Sequence, residues 1–368
     1  MSMLNELRPQ DESRDLSLKG RIKELIPQKG DSKKEIFRKI VFILAVSAFI
    51  WCVVDAIEFN SRSDLEETKD QLSDLYHGIT TLPPQDTQTP DNTQTPDNPD
   101  NPDTPENPDN QEQPSKYPSG MLSQFEPLYD INQEIIGWLT IPGLEDANGE
   151  RYIDYPVMQT NDNDFYIDHD FFKNEEKSGA LFIDHRHKVT GVGTGARNTI
   201  VYGHNMAAGT YFSHLNDYKK RPSFVSEHRL INFTTLYEEK EYVIFACFLV
   251  GIYEEQDNLP LFRYHLAFDF EDISEFDYWY KNVLFRSYYI TDIECTMEDE
   301  YITLSTCSNE LSDLRWVVVG RRVREGEDTS VYKYYSNPDA RKPEVFYTFY
   351  NVTIPEGEPN YEYYQPQE

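Results

Sequence analysis

The first long apolar stretch in the chain is 40–54, IVFILAVSAFIWCVV, in which Ser47 is the one polar residue; Asp55, Ala56 and Ile57 follow. Lys33, Lys34, Arg38 and Lys39 flank it on the N-terminal side. This pattern predicts a transmembrane helix over 40–57, a little shorter than the roughly 20 residues a bilayer core asks for. The basic flank puts residues 1–39 in the cytoplasm and the remainder outside the cell. A cleaved signal peptide and a buried core helix are the rival readings, and a 39-residue lead is long for a signal peptide. Beyond the apolar run, Leu65, Leu72 and Leu75 recur at helical spacing within 58–82, predicting a short juxtamembrane helix.

Residues 83–116 contain TQTPDN twice in tandem, at 87–92 and 93–98, and then PDNPDTPENPDN. Proline, Asp, Asn and Thr cannot build a core, and the prolines favour an extended chain. At roughly 3 Å per residue such a stalk reaches on the order of 100 Å, enough to hold a head away from the membrane. From 117 to 323 the pattern changes again. Residues 137–141, 180–184, 198–203, 229–235, 241–252, 301–307 and 314–323 are short runs rich in β-branched and aromatic residues and read as strands. Turn signals such as Pro142-Gly143 separate them. Only 271–286, with Ile273, Phe276, Tyr280, Val283 and Leu284 in phase, has a helical period. Many strands with few helices make this region mainly β, a closed or nearly closed barrel. The final segment, 324–368, is rich in Tyr, Pro and Glu, with enough aromatic surface to dock.

Charge narrows the functions open to the chain. Its formal net charge is −31, which argues against a nucleic-acid partner, since phosphate binding needs clustered Lys and Arg. Residues 1–40 nevertheless carry ten Lys/Arg against seven Asp/Glu, so all of the acidity lies after Ile40. The four cysteines, at 52, 247, 295 and 307, are too scattered for a disulfide framework, and none pair at zinc-site spacing.

Candidate chemistry gathers at strand ends. Cys307 closes the run 301–307, and Arg315 opens the next run after Ser308–Asp313. Two strands joined by such a loop form an antiparallel pair, which makes Cys307 and Arg315 cross-strand neighbours. A guanidinium beside a thiol favours the thiolate and offers fixed donors to an oxyanion. His204 ends the run 198–203, where it projects from the rim. Thiol plus imidazole is the minimal pair for nucleophilic acyl transfer, the imidazole returning a proton to the leaving amine. Taken singly, each of these is more often an ordinary structural residue. His185 and His187, beside Asp184, form only a weak metal-ligand pattern, and no metal is assigned.

At these residues the chain resembles the sortases, a family of cysteine transpeptidases. Tyr202-Gly203-His204-Asn205-Met206, Thr303-Leu304-Ser305-Thr306-Cys307 and Arg315 within Leu314-Arg315-Trp316-Val317-Val318-Val319 look like the family's His, TLxTC and Arg motifs, in chain order. The likeness begins at Ile136–Gly143, continues through Ile153–Gln159 and Ala180–Asp184, and covers the head. A helix inserted before the Cys strand, here 271–286, looks most like class B. The resemblance implies a closed barrel of about eight strands with a few peripheral helices. It implies Cys307 as nucleophile, His204 as general acid/base and Arg315 as the oxyanion or substrate clamp, with Ser305 and Thr306 touching substrate. The substrate would be the sorting-signal peptide of a surface protein, cleaved after Thr, and the acceptor an amine of peptidoglycan precursor or a pilin Lys. No cofactor is required. A purely hydrolytic cysteine endopeptidase and a non-enzymatic adhesion module are the alternatives. The stalk and the tail after Val323 are both longer than class B leads one to expect.

Overall fold

The computed structural model describes residues 25–79 and 116–355, and of residues 53–62 the backbone only. The stalk expected at 83–116 and the end of the tail lie outside the described residues. Contacts divide the chain into two units, 1–65 and 66–368.

In the first unit the chain enters helix α1 (Lys33–Tyr76). Ser32 and Glu35 start it with a reciprocal cap: Glu35 N–H donates to the Ser32 hydroxyl and Ser32 N–H to the Glu35 carboxylate. The run 40–54 lies inside α1, with Phe42, Leu44, Phe49, Ile50 and Trp51 exposed. Among the described residues no helix is long and apolar enough to cross a membrane, and the end of the span expected at 40–57 falls where side chains are not described.

The second unit holds a closed barrel. Its strands are β1 (Ile135–Thr140), β2 (Asp154–Met158), β3 (Leu181–Ile183), β4 (Asn198–Tyr202), β5 (Leu230–Thr235), β6 (Glu239–Gly251), β8 (Tyr301–Cys307) and β9 (Leu314–Arg322), in the order β1-β2-β3-β4-β8-β9-β6-β5. The β2–β3 and β4–β8 pairs are parallel and the others antiparallel. Seven of these strands answer to the seven apolar runs. The eighth, β2, carries Pro156, which suppresses a strand reading. The fold tolerates it because β3 pairs only with Val157 and Met158, so the missing N–H has no partner to disappoint.

Most residues of β4, β6, β8 and β9 are buried, on both faces of the sheet, because helices and loops cover much of the outside. Helix α4 (Ile273–Arg286) supplies one cover. Asp272 caps it, accepting from Ser274 N–H and Glu275 N–H, and its Phe276, Trp279 and Val283 are buried. Trp279 packs against Tyr301 with ring centroids 4.8 Å apart. Two short helices, α2 (Glu126–Ile131) and α3 (Pro222–Glu227), lie earlier in the chain.

A second apolar cluster forms on the outside of β1, around Trp138, Phe125 and Leu128. The end of α1 belongs to it. Leu72 is buried there, and the Tyr76 ring stacks on Trp138 at 4.3 Å. Ser73 and the Trp138 indole N–H both donate to the buried Asp154 carboxylate. The sequence pattern separated this helix from the head by a stalk; Glu66–Tyr76 instead packs on the barrel itself.

The tail after β9 adds two further elements. Tyr334–Ser336 forms β10, which pairs with β7 (Tyr289–Thr291), and helix α5 (Glu344–Tyr350) follows.

Candidate active site

Cys307 is the last residue of β8 and the one exposed position in a strand that is otherwise buried. Its cross-strand partner in β9 is Arg315. This is the register that loop length and period-two alternation required. The loop between them closes with Ser308 N–H donating to Leu314 C=O at 2.9 Å, and Asp313 takes a left-handed turn, φ +63°.

His204 arrives from the other side. β4 runs parallel to β8 with Tyr202 beside Ser305, and Gly203 N–H extends the ladder by donating to Ser305 C=O at 3.2 Å. His204 therefore leaves the sheet at the level of Thr306 and Cys307. Gly203 permits this approach, because a Cβ there would lie 2.3 Å from Leu181 and 2.7 Å from Phe212. Asn205 then ties the two strand ends together: its side-chain amide donates to Cys307 C=O at 2.9 Å and to the Asn309 side chain. The three residues that the sequence singled out are thus brought to one end of the barrel.

His204 has a partner that residue types alone did not reveal. Its Nε2 is 2.7 Å from Ile167 C=O. A carbonyl only accepts, so Nε2 carries the proton and Nδ1 is the nitrogen left for proton exchange. The Ile167 carbonyl is itself held from behind. Gly179 packs directly beneath it in the left-handed region, φ +56°, and a Cβ there would lie 2.4 Å and 2.5 Å from the Tyr166 and Ile167 oxygens. Tyr166 is buried, its hydroxyl donating to Glu134 and accepting from Asn132.

Ser305 and Thr306, expected to touch substrate, are 3% and 2% exposed. The Ser305 hydroxyl is 2.7 Å from that of Tyr264, a buried residue of the β6–α4 connection. Burial raises the Tyr264 hydroxyl pKa. The Ser305 bond and the Arg315 charge oppose that rise, while Cys307 adds to it, so Tyr264 sits within electrostatic reach of both Cys307 and Arg315. Nothing in its surroundings, Arg263-Tyr264-His265, has a period or motif that would have flagged it. Thr306 points to the other face, and its hydroxyl oxygen is buried without a hydrogen-bond partner.

The remaining candidates separate cleanly. Cys247 and Cys295 are held in their thiol forms by burial, the first far above its ordinary pKa and the second pushed up to about 12. Cys307 is free and exposed. His187 is turned inward. Ile200 N–H donates to its Nε2 at 2.9 Å, and burial lowers its pKa to about 4. His185 is beside Asp184, whose carboxylate is taken by a bidentate Arg186 at 2.8 Å and 2.9 Å and by Asn163 at 2.9 Å. The Tyr202 hydroxyl also donates to that carboxylate, at 3.2 Å, which fixes the strand leading to His204. Among the described residues no group of three His, Cys, Asp or Glu side chains is placed to hold a metal ion.

An exposed thiol lies cross-strand from Arg315 at the end of an eight-stranded barrel, and His204 follows the neighbouring strand at the same level. The sortase domain model matches residues 139–323, and the chain belongs to the sortase family. It is class B-like. It is 29% identical over 212 residues to Sortase B of Staphylococcus aureus, covering 57% of this chain and 79% of that protein. It is 30% identical over 187 residues to Sortase B of Listeria monocytogenes, covering 51% and 68%. Among solved structures, the Staphylococcus aureus sortase B–substrate complex is similar at 29% identity and a TM-score of 0.47, over 56% of this chain and 88% of that one.

Proposed function

We propose that the chain is a membrane-anchored sortase that cleaves the C-terminal sorting signal of surface proteins after Thr and transfers the product to an amine. The observation that carries this is the pairing of exposed Cys307 with Arg315, next to His204. Cys307 passes its thiol proton to His204 Nδ1, its Sγ attacks the Thr carbonyl, and Arg315 stabilises the oxyanion. The carbon–nitrogen bond breaks as His204 Nδ1 gives a proton to the departing amine, leaving a thioester. An incoming amine, from peptidoglycan precursor or a pilin Lys, loses a proton to His204 as it displaces the thiolate.

The membrane anchor is supported by the apolar run 40–54, by its exposed Phe and Ile side chains and by the basic residues before it. It puts the N-terminus in the cytoplasm and the barrel outside. Membrane fractionation tests this: the full chain pellets with membranes and a chain starting at residue 58 stays in solution, and equal partitioning removes the anchor.

The chemistry is tested with a quenched fluorescent library of pentapeptides carrying a central Thr, with and without triglycine. Cys307→Ala loses both cleavage and transfer. Retained turnover by that variant overturns the assignment of the nucleophile, and cleavage with no triglycine adduct favours a hydrolase.

A further inference from the structure

The tyrosine-rich extension takes no part in the chemistry above, yet its helix α5 lies against the loop that follows the nucleophile. It is anchored first to the barrel: the Tyr334 hydroxyl donates to Ile244 C=O at 2.7 Å, and Arg341 reaches the Asp257 and Asn258 side chains at 3.0 Å and 2.7 Å. Helix α5 then brings the Tyr350 hydroxyl to Glu310 C=O at 3.4 Å. Lys342 sits 4.8 Å from the Phe346 ring and 5.0 Å from Tyr288, and Tyr288 packs edge-on against Trp316 at 4.9 Å. Trp316 is the cross-strand neighbour of Thr306, one residue before the nucleophile.

Lys219 meets the same loop. Its ammonium is 2.5 Å from Glu310 Oε2, 2.6 Å from Asn216 Oδ1 and 3.3 Å from the Ser308 hydroxyl, and it lies 4.7 Å from the Trp316 ring. The Ser308 hydroxyl donates to the same Glu310 carboxylate oxygen. The side chains of Lys219 and Glu310 are only 14% and 18% exposed. A charge so placed is costly without its partner, so the pair forms as a unit or the loop shifts.

We propose that Lys219 and Glu310 form a latch that positions the loop after Cys307, and that the C-terminal extension is the strap that covers it. Lys219 is then a positioning residue: it touches no substrate and acts through Ser308 and Glu310 on the geometry of Cys307 and Arg315. The inference rests on Cys307 being the nucleophile.

The experiment measures kcat and KM for the best-cleaved peptide of that library, the rate of Cys307 alkylation by iodoacetamide, and Tm, all in the full chain. The variants are Lys219→Met, Glu310→Gln, both together, the exchange Lys219→Glu/Glu310→Lys, and a chain stopped after Lys342. Each single substitution lowers kcat about tenfold, as small misplacements of reacting groups do. KM stays within about twofold, since the loss falls on the transition state. The double variant is no worse than either single one, because one latch is removed once. The exchange restores part of kcat, and the truncation lowers kcat in the parent but not in Lys219→Met. Unchanged kcat in variants that fold, additive losses, or a change in KM alone each overturn the latch. If Cys307→Ala keeps its turnover, the nucleophile assignment fails instead, so the two failures are distinguishable.

Discussion

Replacing Gly179 with Ala tests whether a main-chain carbonyl orients the imidazole. At φ +56° the added methyl group meets the steric cost of the left-handed region, about 1–2 kcal/mol for an L-residue. Its Cβ would also lie 2.4 Å and 2.5 Å from two backbone oxygens. Backbone atoms cannot swing away as side-chain ends do, so an overpacking cost of about 1–3 kcal/mol is added. The total, about 2–5 kcal/mol, is read by urea denaturation of the two proteins. Relief comes by separating 179–180 from 166–167. Tyr166 is pinned by its hydroxyl bonds and by Ala180 N–H, which donates to Tyr166 C=O at 3.0 Å, so the strain concentrates at the Ile167 carbonyl. Losing that acceptor removes a hydrogen bond to a group that becomes charged in the reaction, worth about 1.5–3 kcal/mol, or roughly a 10- to 150-fold fall in kcat/KM. Peptide cleavage at substrate concentrations below KM measures the fall. The tautomer is read directly from ¹⁵N resonances of His204, which show the proton on Nε2 in the parent. A folded Gly179→Ala with full kcat/KM, or a parent with the proton on Nδ1, refutes the reasoning.

Other substitutions probe the frame around the site. Glu327 accepts from the buried Arg321 guanidinium; burial pushes its carboxyl up, but Arg321 and the Tyr332 hydroxyl outweigh that and hold it at about 2. A carboxyl depressed on folding stabilises the fold above its ordinary value of 4.5 and ceases to do so as pH falls from there through about 2. Tm therefore drops across that window, and Glu327→Gln flattens the drop while lowering Tm at neutral pH by leaving Arg321 unpaired; an unchanged acid limb counts against the pair. Tyr76→Ala removes the ring stacked on Trp138 and destabilises the barrel unit by about 2–3 kcal/mol in chemical denaturation, whereas a free helix end would lose nothing. Iodoacetamide modifies Cys307 in the native protein and leaves Cys247 and Cys295 unmodified until unfolding, which peptide mapping shows; early labelling of either buried thiol contradicts their placement.

The parts of the site legible in the sequence are those set by strand arithmetic. Cys307 and Arg315 could be paired because a six-residue loop, 308–313, and a period of two leave little freedom. His204 could be placed at a rim because an apolar run ends just before it. The Ile167 carbonyl could not be read, since every residue carries a carbonyl and only packing against Gly179 aims this one. Tyr264 escaped for a similar reason: it belongs to a connection whose path is set by the barrel's outside and by no local period. Pro156 hid β2, because a proline breaks a strand only where a neighbour needs its N–H, and β3 does not pair opposite Pro156. In the tail the aromatic surplus indicated docking, but not that Tyr350 would meet Glu310.

The docked end of α1 changes what the proline-rich repeats can do. Tyr76 is held by Trp138 and by the Gln124 amide, and Leu122 N–H, past the repeats, is held by Leu236 C=O. Both flanks of 80–115 thus rest on one body, and the segment is an insertion closed at both ends. The closure entropy of such an insertion grows only logarithmically, about 0.6 kcal/mol for each doubling. TQTPDN units can therefore be gained or lost between relatives with almost no thermodynamic consequence for the barrel, which leaves their number free to vary for reasons outside the fold.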